Sequence, residues 1–327
     1  MRMSAPALFP RHIAVLILAL LACSFAGNHI AARIAFDHDT GLLLAILCRS
    51  GVTLLVLVSL VLWQREKLSL PASTWRWQLL LGLLIATQSF CIYSAVARIP
   101  VALALLVVNV SPILLALLTW ALGGARPTRR AAGLMALILF GLTLDVPQRL
   151  SNPGSSEPQW LEGIAYAFTA AVVFAFALWI TDNKLASMRG TVRSMLTMVV
   201  VFAAAALAGA SGLLPGGVDL PSSRIGWTAL ASLVVLYGLG FSLLFICMAR
   251  LDIARNAPVM NIEPVASLLF GWLILDQLLS SGQVIGGLIV VSGIVLLTWR
   301  RATPSASQPS RPSSKKVLHH ARERTDP

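Results

Sequence analysis

Apolar residues gather in ten long runs, near 13–34, 41–63, 78–97, 101–123, 131–147, 161–181, 193–214, 226–249, 253–275 and 283–299. A bilayer core about 30 Å thick needs roughly 20 such residues per helix, so each run predicts a membrane span. Short loops carrying Pro, Gly or charge separate the runs. Trp63, Trp75, Trp77, Trp120, Trp160, Trp179, Trp227 and Trp299 lie near run ends, where an interfacial aromatic belt would place them.

The pattern repeats. Arg98 to Leu122, RIPVALALLVVNVSPILLALLTWAL, falls within Arg250 to Leu275, RLDIARNAPVMNIEPVASLLFGWLIL, after a shift of 152 positions. That register matches Arg98 with Arg250, Asn109 with Asn261, Pro112 with Pro264 and Trp120 with Trp272. An Asn, a Pro and a Trp at one spacing in two apolar runs indicate an internal duplication. The turn-forming loop PQRLSNPGSSEPQ, residues 147–159, marks the break between halves. The chain therefore reads as an all-α integral membrane protein with ten transmembrane helices in two five-helix repeats, 12–147 and 160–300. An odd number of spans inserts the second repeat upside down, an arrangement typical of secondary transporters with substrate sites near the midplane. Residues 301–327, Ser/Pro-rich and basic, predict a disordered cytoplasmic tail.

Composition sharpens this picture. The chain is 57% hydrophobic and 12% charged, against roughly 45–50% and about 25% in soluble domains. A net charge of +12 would point to nucleic acid in a soluble protein. Here Arg33, Arg98, Arg149 and Arg224 fall in predicted outside segments and Arg49 within a span, and the other 20 of the 25 Lys and Arg fall inside. That bias orients the protein with both termini in the cytoplasm and places it in the inner membrane. The expected partners are the lipid bilayer and a small-molecule substrate, with no nucleic acid. Gly282 and Gly286 form a GxxxG near the start of the tenth run, which suggests close helix packing and a homodimer.

Cys23, Cys48, Cys91 and Cys247 lie singly in apolar runs, with no spacing for a disulfide framework or a metal. His319-His320 in the tail is not taken as a metal site. Arg2 and Arg11 before an apolar run ending at Cys23 look like a signal or lipoprotein cleavage site. Cleavage there would remove a span that the five-plus-five arrangement requires, so the segment is expected to stay.

An ionisable residue deep in a span costs at least about 2.5–3.5 kcal/mol and normally faces protein or water. Glu263, ten residues into the ninth run, suits a cation ligand, a proton-exchanging group or a carboxylic acid tying helices together. Pro112 and Pro264 lack an N–H, so Val108 and Met260 lose their helical donors and become acceptors for a substrate or mark kinks. Asn261 and Glu263 are about 200° apart around a helix and cannot both face one cavity. The repeated Asn109 favours the Asn face as architectural. Arg49 could pair with a substrate carboxylate, but snorkelling to the outer interface or a structural pair is preferred. Asn28, His29, Gln88 and Tyr93 complete the candidate pathway, with Tyr237 a weaker member and His29 read as a gate near the outer end of its span.

Several stretches together resemble the EamA type of the drug/metabolite transporter superfamily: SFAGNHIAARIA, LAILCRSG with Arg49, IYSAVARIPVALALLVVNVSPILLALL, and NIEPVASLLFGWLILDQ. The resemblance covers essentially residues 12–300. It implies ten helices in two inverted repeats that move small organic metabolites by alternating access, often exporting amino acids or their relatives. Asn28-His29 and Asp276 depart from the commoner residues at those positions. An exporter of a small polar or amphiphilic metabolite is thus expected, with an importer of the same fold as the alternative. No Walker motif, HExxH or GxSxG occurs, so neither an ATP-driven pump nor an enzyme is expected, and no catalytic residue, metal or cofactor. A receptor or sensor is poorly supported, since no signalling domain is recognised.

Overall fold

A computed structural model describes residues 8–65, 74–124, 133, 157–212, 217–247, 250, 251, 259, 262–277, 285, 288, 289 and 292. Among them there are helices and no strands: α1 (Arg11–Phe36), α2 (Leu42–Trp63), α3 (Trp75–Arg98), α4 (Val101–Val108), α5 (Ser111–Ala121), α6 (Glu157–Asn183), α7 (Gly190–Ser211), α8 (Arg224–Cys247) and α9 (Ile262–Leu275). Seven helical stretches among the described residues are long and apolar enough to cross a membrane, Val101–Ala121 counting as one. The predicted fifth span, nearly all of the tenth, the GxxxG and the tail lie outside the described residues.

The predicted span 101–123 is not one straight helix. It breaks into α4 and α5 at Asn109 and Val110. The Asn109 side-chain amide turns back to donate to the Leu105 carbonyl at 2.8 Å. Pro112 sits in the first turn of α5, where its missing N–H is one of the groups a helix leaves unbonded anyway. Asn109 and Pro112 therefore build a joint between two short helices. In the register of the repeat, α9 starts at Ile262, the partner of Val110, and Glu263 takes the place of the buried Ser111.

The helix faces separate by surroundings. Leu55, Trp63 and Leu207 are about 70% exposed, an arrangement that suits lipid and not water. Inward faces carry small residues, among them Ala22, Ala26, Ala32 and Ala35 of α1, which let backbones approach closely. At Gly82 of α3 the approach is at its limit: a Cβ there would collide with the branched side chain of Val200 on α7. Val is stiff at its first torsion and cannot step aside. Gly82→Ala should lower stability by about 1–3 kcal/mol, the usual cost of overpacking, seen as a lower unfolding midpoint in detergent. An unchanged midpoint would show that α3 and α7 can part at no cost.

Among the described helices, most packing runs between the halves and not within them. α1 packs on α8 and α9, and α3 packs on α6 and α7. α2 packs on α7 and α8, while α4 and α5 pack on α6. Exchange the halves, so that α1 becomes α6, α2 becomes α7, α3 becomes α8 and the α4–α5 pair becomes α9, and these pairings map onto one another. At the end holding the α1–α2 connection, a single apolar cluster joins α1, α2, α3, α4, α6, α7 and α8. Toward the opposite end the core splits. One cluster joins α2, α3, α6 and α7 around Leu57, Leu81, Ile180 and Met195. Another joins α1 to the end of α8 around Leu18, Leu21 and Cys247.

Candidate substrate cavity

The gap between those two clusters is a cavity of about 330 Å³. Its walls come from both halves. α1 supplies Phe25, Asn28 and His29, α2 supplies Arg49, and α3 supplies Leu81, Ile85, Gln88 and Ile92. From the second half come Phe174 and Thr181 of α6, Arg193, Ser194, Thr197 and Met198 of α7, Tyr237 and Phe241 of α8, and Glu263 of α9. A mainly apolar lining with a few convergent polar groups is the usual make-up of a small-molecule site.

Arg49 is its best-held polar group. It does not snorkel: Arg49 is only 5% exposed, and its guanidinium stays in the middle of the bundle. The α2 position eight residues from the helix start turns the side chain toward α3, where Ser89 and Tyr93 stand one turn apart. Nη2 donates to Ser89 Oγ at 2.7 Å and Nη1 to Tyr93 Oη at 3.1 Å. Tyr93 passes its own proton to Asn28 Oδ1 at 3.3 Å. The guanidinium also lies over two rings, 4.8 Å from the Tyr93 centroid and 4.2 Å from that of Tyr237. Such cation–π contacts contribute about 2 kcal/mol each when water is excluded. No described carboxylate lies within ion-pair distance; the ion pairs among the described residues are Arg33–Asp37 and Arg98–Glu162.

Three buried polar atoms around this group lack a hydrogen-bond partner: Arg49 Nε, Asn28 Nδ2 and His29 Nδ1. The His29 ring meets that of Tyr93 edge-on, with centroids 6.2 Å apart. His29 is thus a wall of the cavity and packs inside the bundle, deeper than a gate at the span end would sit.

The structure brings five of the predicted site residues to the cavity: Asn28, His29, Arg49, Gln88 and Glu263. Tyr93 stands behind the wall, fully buried, and positions Arg49. Asn109 and Pro112 are not in the lining. Asn261 and the side chain of Pro264 lie outside the described residues. It is the Glu263 face of α9 that meets the cavity, and Ser267 one turn on is fully buried.

Sequence reasoning missed the α7 wall. Arg193, one of the basic residues assigned to the inside, lines the cavity and donates from Nη1 to the Leu185 carbonyl at 3.2 Å. Gln78 of α3 donates to Thr197 Oγ1 at 3.0 Å and to the Arg193 carbonyl at 3.1 Å, tying α3 to α7. The available signal was the polar stripe Arg193, Ser194 and Thr197 at helical spacing inside an otherwise apolar run.

The opposite mouth is shut by backbone contacts. Gly41 N–H donates to the Asp219 carbonyl at 2.9 Å, and Ser222 N–H to that of His38 at 3.1 Å. Gly41 permits this because a Cβ there would strike the Gly217 carbonyl. Arg98 and Glu162 pair alongside at 3.2 Å.

The sequence profile of the EamA-like transporter family matches residues 12–145 and 161–299. The chain belongs to the EamA-like transporter family. These proteins are transporters of the drug/metabolite transporter superfamily, not enzymes, and have a helical fold of two repeats. This EamA-like chain is therefore a multi-pass membrane protein whose partners are a small-molecule substrate and the lipid bilayer. A solved structure described only as the crystal structure of a protein shares the fold, with a TM-score of 0.60 at 21% identity. The alignment covers 90% of this EamA-like chain and 100% of the other. No curated protein matches the chain.

Proposed function

We propose that this chain is a secondary transporter of the inner membrane, exporting a small polar or amphiphilic metabolite such as an amino acid or a derivative. Alternating access around the cavity between the repeats is its mechanism. The observation that carries this is a cavity walled by both halves, extending toward the α6–α7 end and closed at the α1–α2 end. In the orientation set by the positive charges, that is a state facing the cytoplasm. The two-repeat arrangement, five inverted spans each over 12–147 and 160–300, is supported by a packing pattern that survives exchange of the halves.

Rocking one five-helix half against the other would tear apart the main interfaces of the molecule. The bodies that can part with least loss are those already separate at the cavity mouth: α1 with α8, and α2 and α3 with α6 and α7. Each draws helices from both halves.

Two experiments test the proposal. A C-terminal alkaline phosphatase fusion should be inactive, because both termini are cytoplasmic; activity in the periplasm would reverse the topology. Purified protein in proteoliposomes should exchange substrate without ATP and respond to substrate or proton gradients. Metabolites enriched in the medium on overexpression, and depleted on deletion, would supply the substrates to load. Flux that required ATP hydrolysis and ignored gradients would sink the secondary-transport mechanism.

A further inference from the structure

We propose that Arg49 and Asn28 form an anion subsite in this cavity, and that the solute it takes is an organic carboxylate with an apolar body. The inference rests on the transporter reading above and adds the chemistry of what is bound.

Arg49 carries a full charge at a nine-tenths buried position. Every group that holds it is neutral: two hydroxyls and two aromatic rings. A buried ion is costly unless it is both paired and hydrogen-bonded. Here the hydrogen bonding is nearly complete and the counter-charge is missing. Glu263 lines the same cavity but makes no ion pair with Arg49. The unused donors are Arg49 Nε–H and the Asn28 amide Nδ2, both buried, with the Asn28 amide fixed by the proton it accepts from Tyr93. A carboxylate accepts from two such donors, and guanidinium–carboxylate hydrogen bonds are about twice as strong as neutral ones.

The ligand's charge follows from the count of charges near the subsite. One guanidinium balances one negative charge. Elsewhere in the cavity Arg193 and Glu263 carry opposite charges, so a monoanion at Arg49 leaves no surplus of either sign. The ligand's body follows from the remaining walls. Among them Phe25, Ile85, Phe174 and Phe241 give the ligand's body an apolar face, and Gln88, Thr181, Ser194 and Thr197 leave room for a polar substituent at its far end.

Arg49 also bridges the two bodies, since Tyr93 is on α3 and Tyr237 on α8. An anion arriving at Nε would therefore bind where the bodies meet. That is where occupancy can be felt by both.

The test uses full-length protein in lipid nanodiscs and isothermal titration with acetate, hexanoate, benzoate and 3-phenylpropionate, each beside its neutral amide, plus inorganic phosphate. We expect at least one of the three larger carboxylates to bind saturably and its amide at least tenfold more weakly, with acetate weaker than hexanoate. Asn28→Ala should weaken that carboxylate about tenfold and its amide less. Arg49→Gln should abolish the preference. Should Arg49→Gln not fold, the carboxylate–amide pair in the unmodified protein and Asn28→Ala still decide. Amides binding as well as their carboxylates, or phosphate binding more tightly than every carboxylate, would overturn the subsite. Carboxylate binding without counterflow in proteoliposomes would leave the subsite standing and sink the transporter reading. Counterflow of a neutral or cationic solute without carboxylate preference would do the reverse.

Discussion

Glu263→Gln should leave the protein folded and make transport insensitive to pH, so that flux driven by a proton gradient falls at least tenfold while substrate exchange persists. Gln keeps the shape and hydrogen-bonding groups of a protonated carboxyl but cannot release a proton. At every pH the variant should therefore behave as the unmodified protein does at the acid end of its range. Glu263 is the carboxylate that meets the cavity among the described residues, and the repeat places Ser111 at the equivalent position of the other half. One half thus carries a titratable group where its twin carries a hydroxyl. The measurement is counterflow and gradient-driven flux in proteoliposomes across a pH series. Should Glu263→Gln transport normally at every pH while Glu263→Ala fails to assemble, Glu263 is a structural hydrogen-bonding group. The coupling role would then pass to His29, which lines the same cavity, and His29→Gln with an unchanged pH profile would remove that fallback too.

A disulfide across the closed mouth should stop transport completely and reversibly. His38 and Ser222 meet through a 3.1 Å backbone hydrogen bond between the α1–α2 connection and the segment before α8. Strands of chain at that separation fall in the range that disulfide geometry allows. Oxidised His38→Cys/Ser222→Cys protein would be held facing one side, able to bind substrate but not to carry it across. Reductant should restore flux to the level of the single-cysteine variants. The four native cysteines are free and lie within helices, so the single-cysteine variants under the same oxidation show what the new pair adds. Full transport with the bond formed would mean that the α1–α2 end never opens.

The family and the all-helical membrane character were legible because they rest on long-range regularities: run length, the 152-residue register and the distribution of Lys and Arg. The polar cavity was legible in part, because a buried polar residue in a span is conspicuous. Asn28, His29, Arg49, Gln88 and Glu263 stood out that way. The environment of Arg49 was not legible. From sequence, the side chain could reach water as easily as Tyr93, since helix geometry alone does not say which neighbour lies alongside. Ser89 and Tyr93 become meaningful only once α3 is known to face α2. Asn109 was read as architectural from its repetition, and it stands at the break between α4 and α5, outside the cavity lining. Arg193 was missed because a basic residue near a span end looks like topology signal, and that signal masks any other role.

The pairing of helices across the halves bears on how the chain is made. α1 to α5 leave the ribosome first, yet their chief neighbours, α6 to α9, do not yet exist. The early helices must wait in the bilayer as separate or loosely associated rods, with Arg49 and Asn28 exposed to whatever can satisfy them. Native structure can close only when the last spans arrive. A chain stopped after the first repeat should be cleared by membrane proteases, and the two repeats supplied as separate polypeptides should rescue each other, because the described helices of each pack chiefly on those of the other.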